Sequence, residues 1–322
     1  MKSVFVEHYG GPEVLVVKEV PKPQPAANEV RIKVRAAGLN YADVMQREGL
    51  YPGGPKPPFG AGFEVAGTVD ALGSGVAQWT VGDRVMGFCS AGYSEFVVAP
   101  ADRLLPIPDS LGFDKAAAIP CQYLTAYHAL LTLSSLNSGQ TVLIQAAAGG
   151  LGSMLVQIAR NVGATVFGTC SSPEKAKVIE ELGCHFPIIY TSADFETVIN
   201  EQTKGKKCDL VVESVGGDVF EKSLRCVKPR GRLITLGVAS KQPSMIPATY
   251  LLANNITVSG FHLMAYAGDL PAMMNAMRDL LEWLEAGSLK ILVNHHFTIE
   301  QAADAQRLLE SRKSTGKIVI EF

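Results

Sequence analysis

The chain has 322 residues with 29 basic and 31 acidic side chains, a formal net charge of −2. That length predicts two domains with ample cores, and a near-neutral balance without a basic stripe argues against nucleic acid as the main partner. No N-terminal signal or transit pattern is present, no apolar stretch approaches the roughly 18 residues of a membrane helix, and six cysteines stand apart without a C-x-x-C pair, so a soluble cytoplasmic protein with reduced thiols is expected.

In chain order, the first third reads as β-rich. Val4-Phe5-Val6, the alternating Val30, Ile32 and Val34, Val65 to Val69, and Phe96 to Val98 are short strand candidates between Gly and Pro turns. A helix is expected over 43–48. The segment Gly49 to Gly62, with four prolines and five glycines, is a long irregular loop of the kind that more often carries function.

The middle third changes to regular alternation. Strands are predicted over 141–145, 164–169, 187–190, 209–213, 232–236 and 256–260, with helices near 151–162, 173–182, 194–203 and 217–227. This is the pattern of a doubly wound parallel six-stranded sheet with right-handed crossovers, whose ligand crevice lies at the carboxyl ends of the strands. Gly149, Ser171, Ser214 to Gly217 and Gly237 should collect there. Helices over 269–286 and 299–311 then precede a closing strand, Lys317 to Ile320. A terminal strand after an α/β block is expected to rejoin the first domain's sheet, which makes the α/β domain an insertion. The expected division is 1–122 with 263–322 for one domain and 123–262 for the other.

The chemistry is concentrated at Thr141 to Gly152, where an apolar strand enters a glycine turn and an apolar-periodic helix follows at once. A helix start has unpaired N–H groups and a partial positive charge, and so accepts a dinucleotide pyrophosphate. Gly149 lets the backbone approach that group, and Gly152 lets the helix pack close to the strand. Ala147 stands where the G-x-G-x-x-G fingerprint has its first glycine, so the match is imperfect; its place between strand and helix is what gives it weight. An NAD site would put an acid at the end of the next strand to hold the ribose 2′-hydroxyl. Here that strand ends in Thr169, Cys170, Ser171 and Ser172, and Lys175 follows. A missing carboxylate with a nearby cation suits the 2′-phosphate of NADPH. Ser171-Ser172-Pro173-Glu174 also reads as a helix N-cap with proline at the first helical position, and the two readings are compatible.

Gly38-Leu39-Asn40-Tyr41-Ala42-Asp43, Gly49-Leu50-Tyr51-Pro52, Gly82-Asp83-Arg84-Val85, Leu124-Thr125-Ala126 and Ala147 to Gly152, in this order, resemble the zeta-crystallin-like quinone oxidoreductases of the medium-chain dehydrogenase/reductase superfamily. The resemblance runs to Glu310-Ser311-Arg312, essentially the whole chain. It implies a GroES-like catalytic domain, an inserted Rossmann domain, NADPH held between them, and homodimers joined through the last Rossmann strand, here Ile256 to Gly260. Zinc-using relatives carry Cys where this chain has Asn40 and Gly-His-Glu where it has Gly62-Phe63-Glu64. Asn and Phe are not useful zinc ligands, Glu64 alone makes no site, and only Cys89 falls where a structural-zinc lobe would need four cysteines. A zinc-free enzyme is therefore expected.

Three residues match family positions near the nicotinamide. Asn40 would bond cofactor or substrate, the Tyr51 phenol would donate to the acceptor oxygen, and Asp43 would orient its neighbours. Each has a purely structural alternative: a turn for Asn40, a helix cap for Asp43, packing on the Pro-rich loop for Tyr51. For the cofactor, Lys175 and Tyr190 match 2′-phosphate positions. Thr125 and the turn Ala148, Gly149, Gly150, Leu151 and Gly152 match neighbours of the pyrophosphate and nicotinamide ribose. Ser171 is expected beside the adenosine ribose. Gly237, Val238 and Ala239, then Phe261, His262 and Leu263, match strand-end segments on the nicotinamide side, and Arg312 matches an arginine that closes on the cofactor. As a lone histidine between two apolar residues, His262 is expected to be packed. The expected activity is hydride transfer from NADPH to a quinone or related conjugated carbonyl. The alternatives are an enoyl or alkenal reductase acting on an activated C=C, and an NADPH-binding protein with little catalysis.

Overall fold

In the computed structural model, which describes residues 1–322, the short apolar runs of the first third are all extended. Strands β1 (Lys2–Val6), β2 (Leu15–Glu19), β3 (Glu29–Leu39), β4 (Phe59–Gly60), β5 (Glu64–Leu72), β6 (Arg84–Phe88), β7 (Phe96–Pro100) and β8 (Leu104–Pro106) succeed one another, with α1 (Tyr41–Glu48) after β3 and α2 (Phe113–Ala116) after β8. Period-2 alternation makes β3 the spine. Val30, Ile32 and Val34 are buried while Lys33 and Arg35 face outward, each buried aliphatic contributing about 1.5–3 kcal/mol. The Gly49–Gly62 segment is not wholly irregular, because its end forms β4, which pairs with β1.

The chain then enters the alternating region. The elements are α3 (Gln122–Tyr127), β9 (Thr141–Ile144), α4 (Gly150–Asn161), β10 (Thr165–Cys170), α5 (Pro173–Glu181), β11 (Phe186–Ile189), α6 (Phe195–Gln202), β12 (Cys208–Glu213), α7 (Gly217–Arg225), β13 (Val227–Thr235), α8 (Ala248–Asn254), β14 (Thr257–Gly260) and α9 (Leu270–Glu285). β9 to β14 form one parallel sheet in the order β11-β10-β9-β12-β13-β14. Its strands are apolar on both faces (Leu143, Phe167, Ile188, Val211 and Leu233 are buried on one, Val142, Ile144, Val166, Val212 and Ile234 on the other), as helices on both sides of a sheet require. Helix starts obey the sequence signals. Ser172 caps α5 ahead of Pro173, and Asp194 and Asp269 cap α6 and α9.

β15 (Val293–Thr298), α10 (Ala302–Glu310) and β16 (Lys317–Glu321) complete the chain. β16 pairs antiparallel with β3 and parallel with β15, closing a seven-stranded sheet in which β16 and β5 flank β3. The chain thus forms two compact units, Met1–Cys121 with Ile291–Phe322, and Gln122–Lys290. The second junction falls at 290/291 rather than 262/263. The segment 263–290 stays with the α/β unit because α9 and the residues after it are tied into it: the Tyr123 hydroxyl donates to Ala276 O (2.7 Å), the Tyr127 hydroxyl to Asp279 Oδ2 (2.7 Å), and Gln157 Nε2 to Lys290 O (3.0 Å). No helix is long and apolar enough to cross a membrane.

Within the first unit, Arg47 on α1 is fully buried. Its guanidinium donates to both carboxylate oxygens of Glu310 on α10 (3.0 and 3.1 Å), to Gln306 Oε1 (2.9 Å) and to Gly10 O (3.0 Å). Deleting the guanidinium leaves Glu310, whose side chain is 22% exposed, without its ion partner and opens the space that Arg47 fills. Arg47→Met is therefore expected to lower unfolding stability in urea by about 2 kcal/mol, below the penalty for a wholly buried charge; a loss below about 0.5 kcal/mol would show that this pair does not hold α1 to α10.

Candidate functional site

Because six strands run parallel, the turn at the carboxyl end of each one is delivered to a single edge. The turn Gln145–Gly149 follows β9, Ser171 follows β10, Tyr190 follows β11, Ser214–Gly217 follow β12, Gly237–Ala239 follow β13 and Phe261–Leu263 follow β14. The strand order reverses between β9 and β12, the position where such sheets open a ligand crevice.

The glycine turn is built by close approach. A Cβ on Gly152 would lie 2.3 Å from Ala146 O and 2.6 Å from Ala147 Cα, so no other residue lets α4 start there. A Cβ on Gly149 would meet only Ala146 O, at 3.5 Å, so the face above this N-cap is open. The left-handed position falls on Ala146 (φ 53°), one residue before the Ala147 that replaces the fingerprint's first glycine. Ala148 is buried and Leu151 lies in the first turn of α4. At the next strand end, Tyr190 N donates to Cys170 O (3.0 Å) and the Thr191 hydroxyl to Ser171 O (3.1 Å), which places Ser171 and Tyr190 side by side. Lys175 starts close by, its N–H donating to the Ser172 cap (3.4 Å), and partial burial holds its ammonium below the usual lysine value. Further along the edge, Ala239 N donates to Ser214 O (3.1 Å) and Ser240 N to Val215 O (2.7 Å), joining the turns after β12 and β13. The Phe261 ring stacks on Tyr266 with centroids 5.2 Å apart. His262 beside it is exposed, contrary to the packed position expected from its neighbours; Phe261 does the packing instead.

Sequence reasoning missed two residues at this edge. Gln122 opens α3, three residues before the buried Thr125, and its amide lies over Gly150, where a Cβ would be 2.2 Å from Nε2; its buried Oε1 has no hydrogen-bond partner. Glu213 ends β12 with Oε1 accepting from Val215 N (2.6 Å) and Gly216 N (2.9 Å), and burial raises its carboxyl above the usual range. No local pattern marks either residue.

In the first unit, α1 and the residues flanking it supply all three catalytic candidates. Asn40 is its N-cap, Asp43 lies in its first turn, and Tyr51 comes two residues after the left-handed Gly49 (φ 75°), with Tyr51 N donating to Met45 O (3.1 Å). The helix begins at Tyr41, two residues before the expected start. Asp43 Oδ2 accepts from Asn40 N (2.8 Å) and from the Tyr93 hydroxyl (3.0 Å), while its buried Oδ1 has no partner. Burial pushes the Asp43 carboxyl up to about 7, against the pull of those two hydrogen bonds and of the Lys317 ammonium. Asp43 is thus a helix cap as well as a buried acid. Burial also raises the half-buried Tyr51 phenol, with Cys121 and Asp43 adding to the rise. The Asn40 side chain also meets two charged groups: its Nδ2 donates to Glu64 Oε2 (2.8 Å) and its Oδ1 accepts from Lys317 Nζ (2.8 Å). Arg312, expected at the cofactor, lies just past α10 in this same unit with φ 60°.

Residues 26–109 match the family model described as "Alcohol dehydrogenase GroES-like domain", and residues 150–282 the one described as "Zinc-binding dehydrogenase". A quinone oxidoreductase of Pseudomonas aeruginosa is 39% identical over 99% of both chains. This chain belongs to the quinone oxidoreductase family of the medium-chain dehydrogenase/reductase superfamily. A 2-haloacrylate reductase of a Burkholderia species, 35% identical over 99% of this chain and 98% of its own, is another relative. The crystal structure of Escherichia coli quinone oxidoreductase complexed with NADPH matches with a TM-score of 0.96 at 31% identity, covering all of both chains.

One family model carries zinc in its description, and the residues here do not fit that ion. Glu64 Oε2 is taken by Lys317 Nζ (2.7 Å) and Asn40, and Oε1 by Cys121 N (2.6 Å). Phe63 stacks on Phe88, burial raises the Cys89 thiol far above its ordinary value, and no three His, Cys, Asp or Glu side chains converge as a metal would need.

The raised Asp43 carboxyl makes stability depend on pH. Its folded value, about 7, lies above the unfolded 3.8, so its contribution is fully present below pH 3.8 and is lost as pH rises to 7. Between pH 5 and pH 8 the wild type is expected to lose about 2 to 3 kcal/mol from this group, at about 1.36 kcal/mol per unit. Asp43→Asn should lose that much less over the same interval in urea unfolding; equal slopes for both proteins would contradict the assignment.

Proposed function

We propose that this protein transfers a hydride from NADPH to a quinone or related conjugated carbonyl without a metal. The observation that carries the reading is the strand-end edge of the second unit. There an open helix N-terminus stands beside a corner of Ser171, Lys175 and Tyr190, and β10 runs out into Ser171 and Ser172 without a carboxylate at the strand end itself. The quinone oxidoreductase relatives, one of them solved with NADPH, support the same reading.

The open turn above Gly149 and the first N–H groups of α4 would hold the pyrophosphate, with Thr125, Ala148, Gly150, Leu151 and Gly152 around it. Lys175, Tyr190 and Ser171 would take the 2′-phosphate. Gly237 to Ala239 and Phe261 to Leu263 would line the nicotinamide side. NADPH, when bound, supplies the hydride. The chain must position the acceptor and stabilise the charge that develops on its oxygen. Tyr51 is assigned as the donor to that oxygen, since burial and its neighbours keep the phenol protonated. Asn40 bonds cofactor or substrate, and Asp43 fixes the Asn40 backbone. A homodimer through β14 is part of this reading, supported by its position as an edge strand, and so is a cytoplasmic location, supported by six free thiols.

The 2-haloacrylate reductase relative favours, as a second reading, reduction of an activated C=C. Both readings are tested by measuring NADPH and NADH oxidation with 1,4-benzoquinone, 1,2-naphthoquinone, a 2-enal, a 2-enoyl thioester and a simple aldehyde. Turnover of the quinones with NADPH is expected, with kcat several-fold lower in Tyr51→Phe at unchanged NADPH affinity. Turnover confined to the enal or thioester would move the assignment to the second reading, and tight NADPH binding with no turnover would point to a binding protein. Lys175→Ala is expected to raise KM for NADPH about tenfold or more and that for NADH less than twofold; equal changes would remove Lys175 from the 2′-phosphate.

A further inference from the structure

Lys317 is 1% exposed and Glu64 is fully buried, yet nothing in the fold of the first unit demands charges at these places. They open β16 and β5, the two strands that flank β3, at the end where β3 gives way to Asn40. Registers that pair Ile318 with Leu39 and Val65 with Ala37 bring all three residues to one end of three adjacent strands. Gly38 makes the meeting possible. A Cβ there would lie 2.5 Å from Glu64 Oε2 and 2.7 Å from Lys317 Cε, in the space where carboxylate and ammonium come together over β3.

The ammonium donates to Asn40 Oδ1 (2.8 Å) and to Glu64 Oε2 (2.7 Å), and the same carboxylate oxygen accepts from Asn40 Nδ2 (2.8 Å). The second Nδ2 hydrogen faces Gly38 O at 3.4 Å, and Glu64 Oε1 is itself held by Cys121 N. An asparagine amide is ordinarily free to turn end for end, its two ends being nearly the same shape. Here a flipped amide would put N–H groups against the ammonium and the carbonyl oxygen against the carboxylate. A buried ion pair is weak evidence for stability, since well-packed apolar residues often do as well. What this pair provides that apolar residues do not is a single polarity for the amide between its two charges.

We propose that Lys317 and Glu64 are positioning residues that lock the Asn40 amide in the one orientation in which it meets bound cofactor or substrate. The proposal rests on the functional reading of Asn40, so its test includes that residue separately. In protein labelled with 15N at asparagine, the Asn40 side-chain hydrogens of the wild type should exchange with water at least tenfold more slowly than those of exposed asparagines. Exchange at the exposed rate would overturn the lock without recourse to any variant. Lys317→Met alone strands the Glu64 charge, so the decisive variant is the uncharged pair E64Q/K317M. It is expected to keep a thermal midpoint close to that of the wild type, to lose the slow amide exchange, and to fall about tenfold or more in kcat/KM with the quinone. Lys317→Arg, which retains the charge, should restore much of the rate. A folded E64Q/K317M protein with wild-type kcat/KM and N40A strongly impaired would overturn the positioning role. Full activity in N40A would instead remove Asn40 from the site, while the exchange measurement still decides whether the lock exists.

Discussion

The pairing of β16 with β3 is the contact on which the first unit depends. It closes the seven-stranded sheet, buries Ile318 and Ile320 against the core of Val30, Ile32 and Val65, and carries the Lys317 ammonium to a carboxylate 253 residues away in the chain. A sheet can be completed by a strand from anywhere in a sequence because ladder hydrogen bonds are indifferent to chain distance. The α/β unit can stand in the sequence between the two segments of this sheet for that reason. The cluster of Asn40, Asp43, Glu64 and Lys317 is then a product of sheet completion: the charges around the Asn40 amide are not in place until β16 is.

The second unit solves a different problem by a simpler rule. Parallel strands separated by helices send every βα turn to the same edge, so a site for a long, anionic, segmented ligand can be assembled from six short pieces of chain. The pieces are small or glycine-rich where they come close, as at Gly152 against Ala146, and polar where they face outward, as at Ser171 and Tyr190. The two units therefore differ in kind. One gathers residues by topology alone, while the other gathers them through a particular set of buried charges.

This difference explains what could be read in the sequence. The six strands of the second unit, the α5 cap at Ser172-Pro173, the start of α4 and the return of the final strand all arise from local periodicity and turn chemistry, and they are legible. The turns that follow the strands are legible as a set for the same reason, although Glu213 at the end of β12 is not. Lys317 is not, because a lysine after Ser314-Thr315-Gly316 looks like a solvated strand entrance; only the register of three strands shows that it is buried. Glu64 in the sequence stands out only as an orphaned metal-ligand position, although its partners are an amide and an ammonium. The junction near 290 is hidden because α9 is recruited by hydroxyls of Tyr123 and Tyr127, which in a sequence are only two aromatic residues on a short helix. His262 reads as packed, yet is exposed, because apolar neighbours in sequence need not be neighbours in space.

The insertion also has a consequence for synthesis. β16 emerges from the ribosome after the entire α/β unit, 277 residues beyond the Asn40 it must meet. At translation rates of roughly 5–20 residues per second, the open edge of β3 waits on the order of tens of seconds for its partner strand. Throughout that interval the nascent chain presents an apolar ladder, Ala36 to Leu39, with no protein on its far side. The α/β unit, contiguous in sequence, is free to fold during the wait. The period of greatest exposure to misassembly and to chaperones therefore belongs to the half of the protein that is made first and finished last.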